Sequence, residues 1–203
     1  MTRLKALMIC AMLALCGLAA ESRAAALIVV GGELQGATGV NVGGMFYDVE
    51  LLDGTCAALF TGCDNAADDF AFATLATATV AAQALLDKVF VDGPSGQFDS
   101  EPDLTRGCSI ASGCYAIVPY ALNSGGFNGA FPFNAAPSNP DMVSFDPVIF
   151  TTVQDSGGHP NFYFARFTAA PIAEPATMAL FGVGLAGMAL ARRRRAGGKP
   201  RHG

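Results

Sequence analysis

The sequence predicts an α+β body: one mainly antiparallel sheet packed on one main helix, with an N-terminal signal peptide ahead of it and a short C-terminal transmembrane helix behind it. Three observations predict this. Short runs rich in aromatic and β-branched residues recur between clusters of turn residues, which is the strand signal. One longer segment, Phe72 to Val89, repeats apolar residues at steps of three and four, which is the helix signal. Charge is segregated as well. Of the 12 Lys and Arg, only Lys88, Arg106 and Arg166 lie between Leu27 and Pro175, a stretch that holds 16 of the 17 Asp and Glu.

Three cationic against sixteen acidic side chains give that stretch a formal charge of minus 13. Such a surface repels nucleic acid and anionic lipid, so no nucleic-acid partner is expected. Removing both ends from the 203-residue chain leaves about 145 residues, enough for one domain with a sizeable core.

The first 26 residues read as a Sec signal peptide, which makes the Sec translocon a partner. Arg3 and Lys5 supply the positive start, Ala6 to Ala20 the apolar stretch, and Ala24-Ala25-Ala26 a small-residue cleavage site. Cys10 and Cys16 leave with it. The exported body keeps Cys56, Cys63, Cys108 and Cys114 in an oxidising compartment. Four cysteines allow three connectivities, and the two short loops favour Cys56 with Cys63 and Cys108 with Cys114.

The body, residues 27–171, opens with a strand over Leu27 to Val30. Gly31, Gly32, Gly36, Gly39, Gly43 and Gly44 follow; they lack phosphate-loop spacing and are expected to make turns between short strands. From Met45 to Leu52 the residues alternate, with Met45, Tyr47, Val49 and Leu51 on one face and Asp48 and Glu50 on the other, so a half-buried strand is expected. Asp53-Gly54 closes it. Asp64, Asn65, Asp68 and Asp69 then offer helix-start chemistry. The stripe Phe72, Leu75, Thr79, Ala82, Leu86 and Val89 predicts the main helix, stopped by Asp92-Gly93-Pro94.

Gly93 to Gly113 reads as an acidic loop. Its Asp92, Asp99, Glu101 and Asp103 are candidate calcium ligands, although their spacing fits no EF-hand and a solvated loop is the simpler reading. Strands are expected over Tyr115 to Leu122, Asp141 to Phe145, Val148 to Val153 and Asn161 to Thr168, with coil from Asn123 to Pro140. A turn at Asp155 to Pro160 would pair the last strands as a hairpin.

The tail differs in kind. Ile172-Ala173-Glu174-Pro175-Ala176-Thr177 leads into an apolar run, Met178 to Ala191, and then Arg192-Arg193-Arg194-Arg195. The run alone would span ~21 Å as a helix, against ~30 Å of hydrocarbon. Extension through Ala176 and Thr177 and snorkelling arginines make a membrane helix over 176–191 feasible. A polar motif, an apolar segment and an arginine cluster in this order resemble the PEP-CTERM sorting domain of Gram-negative bacteria, the substrate signal of exosortase. Ala173 stands where the family has its first proline. The resemblance implies a sorting motif at Glu174 and Pro175, a membrane stop at Arg192, Arg193, Arg194 and Arg195, and a basic cytoplasmic tail over 196–203. It also implies an exosortase-type processing partner, transient anchoring in the inner membrane, and a final place at the cell surface or outside. The body wording Gly44-Met45-Phe46-Tyr47-Asp48-Val49-Glu50, with Gln83-Ala84-Leu85-Leu86-Asp87-Lys88, is similar to bodies of PEP-CTERM proteins of no assigned activity.

Catalytic chemistry finds little footing in these residues. His159 is the one histidine of the body, in the turn Gly158-His159-Pro160, and no serine occupies a Gly-x-Ser-x-Gly elbow. The expectation is therefore a non-enzymatic envelope or matrix protein without a cofactor, associated with exopolysaccharide as the resemblance implies. The alternative is a secreted hydrolase that uses a pair of acidic residues.

Overall fold

The computed structural model describes residues 24–145 and 151–171. The signal peptide as far as Arg23, part of the expected strand at Val148 to Val153, and the sorting tail from Ile172 onward lie outside these residues.

A seven-stranded sheet carries the fold, in the order β1-β2-β3-β9-β6-β7-β8. Its N-terminal side is a meander of β1 (Ala26–Val30), β2 (Glu33–Val42) and β3 (Met45–Leu52), and its C-terminal side is a second meander of β6 (Gly113–Asn123), β7 (Gly126–Ala135) and β8 (Met142–Ser144). The last strand, β9 (Phe162–Ala169), enters between β3 and β6 and joins the two halves. It is antiparallel to β3 but parallel to β6 over Tyr115–Ile117 against Phe162–Phe164, so the sheet is mixed. Among the described residues the expected closing hairpin does not form, since β9 pairs with β3 and β6. Thr151 to Val153 are not strand but part of a turn, held by an N–H bond from Ala57 to Thr152 O at 2.9 Å.

Two expectations need correction. Gly31-Gly32 and Gly43-Gly44 do turn the chain between β1, β2 and β3, but Gly36 and Gly39 sit inside the ten-residue β2 rather than in turns. Both mark bulges of β2, where an extra residue is accommodated. At Gly36 a Cβ would lie 2.0 Å from Val49 O, so only glycine lets β3 come this close. At Gly39 the backbone is left-handed, and its N–H donates to Asp48 Oδ1 at 3.0 Å. The stretch expected as coil, Asn123 to Pro140, contains β7. Glycine, asparagine and Pro132 hide it from propensity, yet Phe127, Phe131 and Phe133 fall on alternate positions and so share one face.

Strand alternation also separates the two cores. Cys114, Ala116 and Val118 of β6, with Tyr163, Ala165 and Phe167 of β9, join one cluster, while Ile117 and Phe164 join the other. The larger cluster contains the buried face of α3 (Leu75–Lys88), which packs chiefly over β7 with β6 and β2 beside it. That face matches the expected stripe in part. Phe72, Ala82, Leu86 and Val89 are buried as expected, whereas Leu75 is exposed, Thr79 is half-buried, and Ala78, Ala81 and Leu85 join the buried face. Alanine faces the sheet because small residues, among them Ala116 and Ala130, lie opposite and let the helix approach closely. Phe72 precedes the helix; Thr74 caps it, accepting from Thr77 N–H at 3.2 Å.

The second face is covered by residues 55–70. These form two single-turn helices, α1 (Cys56–Leu59), capped by Thr55, and α2 (Ala66–Asp69), capped by Asn65. Asp64 to Asp69 therefore start a separate short helix, not the main one. Phe60 and Phe70 pack edge-on at 5.5 Å, and Phe60 meets Phe164 at 5.7 Å. Arg166 pairs with Glu50 across the β3–β9 register and donates from Nη1 to Leu59 O at 3.0 Å, tying α1 to the sheet.

Each cluster holds one disulfide. Cys56 is bonded to Cys63 in the smaller, and Cys108 to Cys114 in the larger. On the chain-entropy model, loops this short contribute roughly 2–3 kcal/mol each. Peptide mapping without reduction should recover these two linkages; a Cys56 peptide joined to Cys108 or Cys114 would contradict the fold.

Candidate functional site

A concavity of the body lies where the β2–β3 turn meets the start of α3. Val42 and Gly43 bring the end of β2, Met45 and Tyr47 the start of β3, Phe72 the approach to the helix, and Thr77 and Val80 its first turns; together they enclose about 460 Å³. That volume falls within the range of small-molecule sites. Its chemistry is apolar and uncharged. Tyr47 packs on Phe72 at 5.3 Å and on Phe167 at 6.0 Å, so an aromatic floor underlies the groove. Met45 (55%) and Val80 (47%) remain exposed at its rim. The nearest hydroxyls are already engaged, since Thr74 Oγ1 and Thr77 Oγ1 lie 2.9 Å apart within the helix cap. The lining carries no carboxylate, amine, imidazole or thiol, so the groove suits an apolar group.

The groove also marks where the chain leaves the body. Tyr47 is the register partner of Ala169, and Ala170 N–H donates to Phe46 O at 2.9 Å. The strand that runs toward the tail is therefore a central one, gripped on both sides.

The sequence-predicted site residues fare unevenly. Asp92 is used locally: its carboxylate accepts from Asp99 N–H and Ser100 N–H at 3.0 Å each and from the Ser100 hydroxyl, closing the loop after the β4 (Asp92–Gly93) and β5 (Gly96–Gln97) hairpin. The Ser100 hydroxyl and the backbone amides lower the Asp92 pKa. Asp99 is shifted upward, first by burial and then by the charges of Asp141 and Asp92. Glu101 precedes the 3-10 turn Pro102–Leu104 and Asp103 lies within it, both on the surface. Among the described residues no three His, Cys, Asp or Glu side chains gather where a metal ion could be held, so the structure does not converge the four carboxylates. Cys56, Cys63, Cys108 and Cys114 serve the core. Glu174, Pro175 and Arg192 to Arg195 lie outside the described residues.

His159 caps the 3-10 turn Ser156–Gly158, with its Nε2 2.7 Å from the Gln154 amide. Ser156 is fully buried and donates to Asp53 Oδ1 at 2.7 Å, while accepting from Gly54 N–H at 3.0 Å. The Gly54 carbonyl oxygen also lies 3.1 Å from this hydroxyl, and the knot fastens the 155–158 turn to the end of β3.

Sequence reasoning missed the groove. It is assembled from three separated segments, none of which carries a local sign of it.

Residues 171–195 match the PEP-CTERM protein-sorting motif. Nothing among curated proteins or solved structures matches the chain. The motif makes this an exported protein whose sorting and processing depend on an exosortase.

Proposed function

We propose that the chain is a non-enzymatic protein of the cell envelope or extracellular matrix, held transiently in the inner membrane by its tail and released when exosortase cuts near Glu174-Pro175. The observation that carries this reading is the sorting motif at 171–195, which begins directly after the central strand β9. The rest is topology. The signal peptide carries the body outward, the apolar run from Met178 halts transfer, and Arg192 to Arg195 stay inside under the positive-inside rule. Glu174-Pro175 then lies at the outer face. Pro175 biases Glu174 away from helical geometry, so the helix starts after it and leaves an extended segment to be recognised.

The described body supports a non-catalytic role in two ways. Its groove has no titrating or nucleophilic lining apart from the Tyr47 phenol, and the Ser156 hydroxyl is buried against Asp53. Exopolysaccharide is the matrix partner we infer for it. Replacing Arg192 to Arg195 with glutamine should weaken retention before processing, read as precursor moving from the membrane to the soluble fraction. Precursor that stays fully in the membrane after this change would remove the arginines from the mechanism.

A further inference from the structure

The groove at the start of α3 belongs to a wider face without charge. Residues 34–47, which run along β2 and through the turn into β3, contain no Asp, Glu, Lys or Arg, and neither do residues 70–86, which lead into α3 and form most of it. These two segments supply the lining of the groove. In a body of minus 13 they are a local exception. Asp48 comes next in sequence but points away from Tyr47 by strand alternation, and its carboxylate accepts from Gly39 N–H. Met45 and Val80 stand exposed on the rim, beside the exposed Ala73 and Ala76. Apolar surface gathered in this way marks an interaction site. What it meets is set by where the chain leaves the sheet. Ala170 N–H donates to Phe46 O, one residue from Met45, and the sorting motif starts at residue 171. Between that hydrogen bond and the membrane helix expected from residue 176 lie residues 171–175, which reach at most ~18 Å.

We propose that this uncharged face is a lipid-docking surface, which lies against the outer leaflet of the inner membrane in the uncut precursor, with Met45 and Val80 at the level of the headgroups. The proposal rests on the tail being a membrane anchor. Two features select lipid over a second copy or another protein. The short tether keeps the rim within reach of one lipid surface at an effective concentration in the millimolar range, whereas any other partner must arrive by diffusion. The acidic remainder of the body is repelled by anionic headgroups, which leaves the neutral face turned toward them. A patch with so few exposed apolar side chains binds lipid weakly by itself. Cutting near Glu174-Pro175 removes the tether, so the same cut that frees the chain also ends the docking.

The chain has no tryptophan, so a single introduced one reports alone. Uncut precursor carrying Val80→Trp, reconstituted into phosphatidylcholine vesicles with brominated acyl chains, should show blue-shifted emission that is quenched relative to unbrominated vesicles. Met45→Trp reads the same surface from β3 and should behave alike. Val153→Trp is the control, because Val153 is 74% exposed next to Thr152, which accepts from Ala57 N–H on the side of the sheet that α1 covers. Its emission should stay that of an indole in water. Adding Met45→Asp to Val80→Trp should remove most of the quenching, while the melting temperature of the exported form holds because Met45 is exposed. Water-like emission from both Val80→Trp and Met45→Trp, in precursor that floats with the vesicles, would overturn the docking and leave the anchoring intact. Precursor that does not float would overturn both. A blue shift without bromine quenching would assign the face to a second copy or another protein, and would overturn the proposal as well.

Discussion

Replacing Phe164 with alanine should lower the free energy of unfolding by about 3–5 kcal/mol, the range for removing a large aromatic from a packed core. Phe164 is completely buried on β9, the strand that joins the two meanders, and its ring lies 5.7 Å from Phe60 and 5.5 Å from Phe127. The truncation therefore takes contacts from the residues over α1 and from β7 together. Against a typical total of roughly 5–15 kcal/mol, this is a large fraction. Urea titration should show a lower midpoint with an unchanged slope. A loss under about 1 kcal/mol would mean that β9 does not hold the sheet together.

Changing Glu174 and Pro175 to alanine should leave an uncut, membrane-bound form as the dominant species, with the body folded as before. The two effects separate because the motif lies beyond the last hydrogen bond of the sheet, Ala170 N–H to Phe46 O. Alanine at both positions also removes a residue that disfavours helix, which should hinder recognition of an extended motif there. Immunoblotting of membrane and medium fractions reads the outcome. Normal release of the double variant would move the recognition site elsewhere in the tail.

These expectations draw on parts of the molecule that were unequally legible in the sequence. The tail was readable because its information is linear: a motif, an apolar run and arginines in fixed order need no tertiary partner to be recognised. β1, β3 and β6 were readable for a related reason, since each carries a local period or a run of strand-forming residues. β7 was not, because Pro132, its glycines and its asparagines argue against a strand one residue at a time. Only the alternation of Phe127, Phe131 and Phe133 argued for it. The helix was legible but its buried face only in part: Ala82, Leu86 and Val89 belonged to the stripe, while Ala78, Ala81 and Leu85 did not. A hydropathy stripe rewards Leu75 over Ala78, whereas the packing rewards whichever residue lets the helix settle onto small side chains such as Ala130. The mixed sheet and the apolar groove had no local signal, as both arise from where β9 inserts and from which distant segments it brings together.

The account rests on the chain being cut and released, and the most direct measurement is the intact mass of the protein recovered from the medium of exosortase-bearing cells. The expected mass corresponds to a chain that starts close to Leu27, carries two disulfides and ends near Glu174-Pro175. Recovered protein that still carries Met178 to Arg195 would contradict it, and would make the tail a permanent anchor.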